Sequence, residues 1–118
     1  MGLKSRNKGK LGEREAAREL ARVLGIQARR GQQFSGGTES PDVVTDCDQL
    51  HIEVKRTESL RLYAALDQAI ADAGDKTPIV LHRSNRRPWV VIVRLDDLPE
   101  LLHALSAFRL PPNNSSKT

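Results

Sequence analysis

The chain has 118 residues, 38% hydrophobic and 29% charged, proportions that fit one folded domain and exclude a disordered or fibrous chain. No apolar run approaches the roughly 20 residues that span a bilayer, and no apolar stretch of the secretory kind follows the basic N-terminus. Cys47 is the single cysteine, which excludes an intrachain disulfide and a cysteine-based zinc cluster and suits a reducing cytoplasm.

Residues 1–9 are polar and basic with two glycines, and read as a flexible arm. Residues 11–24 have helical periodicity, with Gly25 placed as a C-terminal cap. A short strand is expected within 26–33, then a Gly/Ser-rich loop over 34–41. Residues 42–45 and 50–56 read as two strands joined through a turn at Asp46-Cys47-Asp48. A second helix spans 62–73, with Leu62, Leu66, Ala69, Ile70 and Ala73 on one face and Gly74 at its end. Residues 78–82 and 89–94 are apolar, β-branched runs around the basic stretch 83–88. Asp96 and Asp97 precede a third helix, which carries Leu98, Leu101, Leu102 and Leu105 and tolerates Pro99 in its first turn. Residues 109–118 read as a disordered tail. The folded domain is thus 10–108, in the order α-β-β-β-α-β-β-α: an α/β fold with a mixed sheet flanked by helices.

The strand 50–55 alternates, so that His51, Glu53 and Lys55 share one face and Leu50, Ile52 and Val54 the other. Taken alone, His51, Glu53 and Lys55 read as the polar, solvent-facing side of a strand with a weak ion pair. Asp42, however, opens the neighbouring strand just after Pro41, and pairing of the two strands brings it towards Glu53. Two carboxylates held together repel unless a cation lies between them. Magnesium is suited to such a site, taking one or two carboxylates together with waters and a phosphate. Glu13 extends the inward stripe formed by Ala17, Leu20 and Leu24, where an unpaired charge is costly; it is equally a favourable acid near a fraying helix start. Glu15 and Glu19 lie off that stripe, as surface partners for neighbouring arginines. Asp46 and Asp48 are turn formers.

Asp42 followed at eleven residues by Glu53-Val54-Lys55, with a helical Glu13 before them, resembles the PD-(D/E)XK nuclease superfamily. Within it the likeness is to archaeal Holliday-junction resolvases and resolvase-like phage endonucleases. It covers roughly residues 8–98 and includes Gly12-Glu13-Arg14-Glu15, Ser35-Gly36-Gly37 and Ser40-Pro41-Asp42. The resemblance implies a restriction-endonuclease-like sheet and a Mg2+-dependent endodeoxyribonuclease in which Mn2+ substitutes. It implies Asp42, Glu53, the Val54 carbonyl oxygen and Glu13 as metal ligands, with Lys55 orienting the attacking water and stabilising charge at the phosphate. It also suggests a place in the site for Gln68, although periodicity puts Gln68 roughly opposite the apolar stripe of its helix. The implied products are a 5′-phosphate and a 3′-hydroxyl, and the implied setting is the cytoplasm of a bacterium or of a phage-infected cell.

The net charge is +4, but residues 1–30 carry nine Lys and Arg against three Glu, leaving the remainder mildly acidic. That asymmetry suggests an anionic partner, nucleic acid ahead of a membrane surface. Lys4, Arg6, Lys8, Lys10, Arg29, Arg30, Arg83, Arg86 and Arg87 are the candidate phosphate contacts, and Ser35, Gly36 and Gly37 are candidates for close approach to a DNA backbone. Aromatic residues make up only 3%, against a stacking platform for single strands and in favour of recognition by backbone and shape. His51 is expected to border the site; Tyr63 and Trp89 are candidates for stacking on bases, although lone aromatics are more often partly buried packing residues. Two symmetric cuts in a branched DNA require two sites, hence a homodimer, for which the Leu-rich third helix with Phe108 offers a surface, although the same helix serves equally as a cap on the sheet. A nickase or flap-type nuclease with the same residues, or a non-catalytic basic nucleic-acid-binding module, are the alternatives.

Overall fold

A computed structural model of the chain describes residues 3–31 and 41–108, with side chains from residue 9 onward. Its elements follow the expected order: α1 (Leu3–Leu24), β1 (Ala28–Arg30), β2 (Val43–Thr45), β3 (Leu50–Arg56), α2 (Leu62–Ala73), β4 (Thr77–Arg83), β5 (Val90–Ile92), a 3-10 turn (Leu95–Asp97) and α3 (Leu98–Ser106). The five strands form one sheet in sequential order. Only β3 and β4 run parallel, paired from Leu50↔Thr77 to Arg56↔Arg83; the other neighbours are antiparallel. Parallel neighbours need a crossover, and α2 supplies it.

Strand alternation divides the core. Leu50, Ile52, Ile79, Leu81 and Val43 pack with Ala16 and Ala17 of α1 and Ala104 of α3. On the opposite face Val80 packs with Ala65, Leu66 and Ala69 of α2. This second layer is thinner, and the polar side of β3 lies under it.

Two glycines permit close approaches that frame the site. Gly12 is buried in α1, where an added Cβ would lie 2.8 Å from Cβ of Arg56; its absence lets α1 settle onto β3. An added Cβ on Gly31 would run into the Pro41 carbonyl, next to the 2.8 Å bond from the Gly31 amide to the Asp42 carbonyl.

The helical backbone of α1 reaches back to Leu3, so the boundary expected at residue 9 falls inside a helix. Lys and Arg are good helix formers, and extending a helix already nucleated costs far less than starting one. β1 is shorter than expected, beginning at Ala28. β5 stops at Ile92, where its pairing with β4 ends. Beyond it the Arg94 guanidinium donates to Asp97 at 2.7 Å. Asp97 therefore holds the turn before α3 and makes no side-chain cap of that helix. Residues 32–40, with the loop carrying Ser35, Gly36 and Gly37, and the tail 109–118 lie outside the described residues. Among those described, no helix is long and apolar enough to cross a membrane.

Candidate active site

The register of β2 against β3, with Val43 opposite Ile52, puts Asp42 one step further on, beside Glu53. The Asp42 amide donates to the Ile52 carbonyl at 2.9 Å, and Asp42 Oδ2 accepts from the Val54 amide at 2.8 Å. The Glu53 carboxyl lies close enough to act directly on that of Asp42. Burial first, then Glu53 and the more distant charge of Glu13, push Asp42 up to about 8 against the lowering effect of the Val54 amide. This is the response of two carboxyls held together in a low-dielectric site. Glu53 itself is only 5% exposed.

Glu13 sits half-buried on α1, close enough to act on Asp42, and accepts from the Arg30 guanidinium at 2.8 Å. Of the two positions open to it in the sequence, the inward one is observed, since α1 begins ten residues earlier and Glu13 does not lie at a helix start. Lys55 Nζ donates to Gln68 Oε1 at 3.2 Å, so Gln68, though exposed, meets Lys55 across the strand–helix boundary. The buried face of α2 includes Ala65 as well as Leu66, Ala69 and Ala73, and this extension carries its edge towards Gln68. A cleft beside Lys55 is lined by Thr57, Ser59, Arg61 and Gln68.

The polar face of β3 is covered rather than solvent-facing. His51 is 2% exposed, and its Nε2 lies 2.9 Å from Glu53 Oε1. Asp72, one helical turn past Gln68, brings a carboxylate oxygen within 4.8 Å of both groups. Three features escaped sequence reasoning: the burial of His51, the place of Asp72, and Arg61. The strand alternation and the i, i+4 spacing from Gln68 were the available signals for the first two.

Glu15 departs from expectation. It does not pair with neighbouring helix arginines but accepts from Arg83 at 2.6 Å and from the Trp89 indole at 3.0 Å, with Arg56 4.0 Å away. Arg56 in turn donates to Asn85 at 2.8 Å, and Glu58 accepts from the Asn85 amide. These bonds tie α1 to the loops that follow β3 and β4. Glu19 pairs with Arg22 as expected.

Of the candidate phosphate contacts, Arg30 and Arg83 are committed to Glu13 and Glu15. Lys10, Arg29, Arg86 and Arg87 are exposed and form no ion pair among the described residues, and the same holds for Arg61. The side chains of Lys4, Arg6 and Lys8 lie outside the described residues. Leu101, Leu105 and Phe108 pack against the core, which leaves Leu102, 62% exposed, as the main apolar surface of α3.

A mixed sheet with an aspartate and a Glu-x-Lys strand side by side, and a glutamate on the helix before them, is the arrangement of a PD-(D/E)XK nuclease. The profile of the family described as "Phage putative PDDEXK endonuclease" matches residues 4–111, and the chain belongs to that family. Among solved structures it is similar to Hjc of Archaeoglobus fulgidus, a Holliday junction resolvase from an archaeal hyperthermophile. The two share 26% identity and a TM-score of 0.53, over 73% of this chain and 72% of that one. The fold is accordingly restriction-endonuclease-like. No curated protein matches the chain.

Proposed function

We propose that this protein is a divalent-metal-dependent, structure-selective endonuclease that hydrolyses phosphodiester bonds in branched DNA, in the manner of a Holliday-junction resolvase. The observation that carries the reading is the Asp42–Glu53 carboxyl pair beside Lys55. Two carboxyls held side by side in a largely buried site are a set of hard oxygen donors suited to a small divalent cation. Asp42 and Glu53, with Glu13 and the Val54 carbonyl oxygen, would hold it. Bound there, Mg2+ or Mn2+ supplies Lewis-acid polarisation of a phosphoryl oxygen and lowers the pKa of water.

The remaining work falls to the chain. Lys55 puts a positive charge where negative charge develops on the phosphate and orients the attacking water, and Gln68 holds the ammonium in place. Lys10, Arg29, Arg61, Arg86 and Arg87 contact backbone phosphates, which sets register without reading sequence. Arg30 and Arg83 act through the fold. Cleavage leaves a 5′-phosphate and a 3′-hydroxyl. Paired cuts across a junction call for a twofold dimer, and the setting is the cytoplasm of a bacterium or phage-infected cell.

The test is cleavage of a labelled four-way junction beside linear duplex, flap and single-stranded substrates, with Mg2+, with chelator, and with Glu53→Ala. Symmetric metal-dependent cuts near the crossover, lost in the variant, are the expected result. Metal-dependent cutting that ignores the junction would replace the resolvase reading with a nickase or flap-type one. Tight binding without cleavage in Mg2+ or Mn2+ would indicate a binding module.

A further inference from the structure

Among the described residues, two polar or charged side chains are buried, His51 at 2% and Glu53 at 5% exposure, and they bond to each other. The reaction outlined above uses Glu53 and gives His51 no part. An imidazole out of water is costly unless hydrogen-bonded, and a leucine would fill much of the same space without that cost. The period of β3 sets His51 on the face of Glu53, two residues away, and α2 runs back over that face. Gln68 meets Lys55, and one turn later Asp72 comes within 4.8 Å of both His51 and Glu53.

We infer that His51 is a positioning residue for the metal site: its Nε2–H donates to Glu53 Oε1 and fixes the orientation in which that carboxylate receives a divalent cation. A free glutamate side chain gives up rotamer freedom when it is held, and a bond already formed to His51 meets part of that cost before the cation arrives. Groups that orient a metal ligand in this way typically contribute about 10–100-fold in metal affinity. The inference rests on the reading of Glu53 as a metal ligand.

Calorimetric titration of the DNA-free protein with Mn2+ tests it, alongside thermal unfolding in chelator to verify folding. His51→Gln keeps an amide donor near the position of Nε2; His51→Asn has the same chemistry but falls short of Glu53; His51→Leu removes the donor. The expected result is Mn2+ affinity within about threefold of wild type for His51→Gln and about 10–100-fold weaker for His51→Asn and His51→Leu. Junction cleavage by the two weakened variants should return as Mn2+ is raised. The Gln/Asn comparison decides the matter even if His51→Leu fails to fold. Equal affinities of His51→Asn and wild type, or an equal loss in His51→Gln and His51→Asn, would overturn the positioning role while leaving the metal site standing. A wild-type protein that binds no Mn2+ would overturn the metal-site reading and this inference with it.

Discussion

Asp42 accepts a hydrogen bond at 2.8 Å from the amide of Val54, the residue that separates Glu53 from Lys55. One carboxylate oxygen thereby ties the aspartate of one strand to the backbone of the next at the centre of the Glu-x-Lys triplet. Side-chain rotation of Asp42 is restrained, and its carboxyl is held beside that of Glu53. Residues twelve positions apart along the chain are thereby joined directly across the two strands.

That pairing predicts a pH dependence of stability. Asp42 has a folded-state pKa raised to about 8, whereas in the unfolded chain an aspartate titrates near ~3.9. Below pH ~4 both states are protonated and the site costs nothing. From there towards pH 8 the folded state retains a proton that the unfolded state has released, so metal-free stability falls as pH rises, by on the order of a few kcal/mol in all. Asp42→Asn, which mimics the protonated form, should raise the metal-free Tm at pH 8 and leave it unchanged near pH 4. A divalent cation should remove the decline in wild type. Thermal unfolding in chelator and in Mg2+ across that range measures it.

Gly12→Ala replaces a poor helix former with the best one, a gain of about 1 kcal/mol on propensity. The new methyl would nevertheless lie 2.8 Å from Cβ of Arg56, and overpacking of that kind costs about 1–3 kcal/mol. Net destabilisation is expected in urea unfolding, with weakened catalysis because α1 also carries Glu13. An unchanged or increased midpoint would show that α1 can withdraw from β3 freely.

Glu15→Ala leaves Arg83 and the Trp89 indole without their shared acceptor. Because Glu15 is partly exposed, the loss should be moderate, about 1–2 kcal/mol. Trp89 is the single tryptophan, so its fluorescence should change in the folded variant. Chemical denaturation followed by that signal reads both effects at once.

Arg61→Ala and Arg86→Ala should weaken junction binding with little effect on Tm, and each should lower the salt slope of log K by about 1. Arg30→Ala should do the reverse, lowering Tm by freeing Glu13 with a smaller change in the salt slope. Binding isotherms at several salt concentrations separate the two classes.

The amino-acid order by itself determined the succession of elements, the alternation that puts His51, Glu53 and Lys55 on one face, and the spacing from Asp42 to Glu53. These follow from local periods of two and 3.6 residues and from glycine and proline punctuation, which require no knowledge of distant neighbours. The bounds of β3 and α2 match their reading because both patterns are long; the three-residue β1 and β5 are shorter than read because pairing partners, not propensity, end them. Tertiary structure decided which charges are spent. Arg30 and Arg83 look like Arg29 and Arg86 in the sequence, yet the first pair meets Glu13 and Glu15 across the fold and the second faces solvent. It also decided that α2 would cover the polar side of β3, turning a surface-like His51 into a buried partner of Glu53. Charge pairing and burial depend on packing between elements far apart in the chain, and no local pattern encodes that.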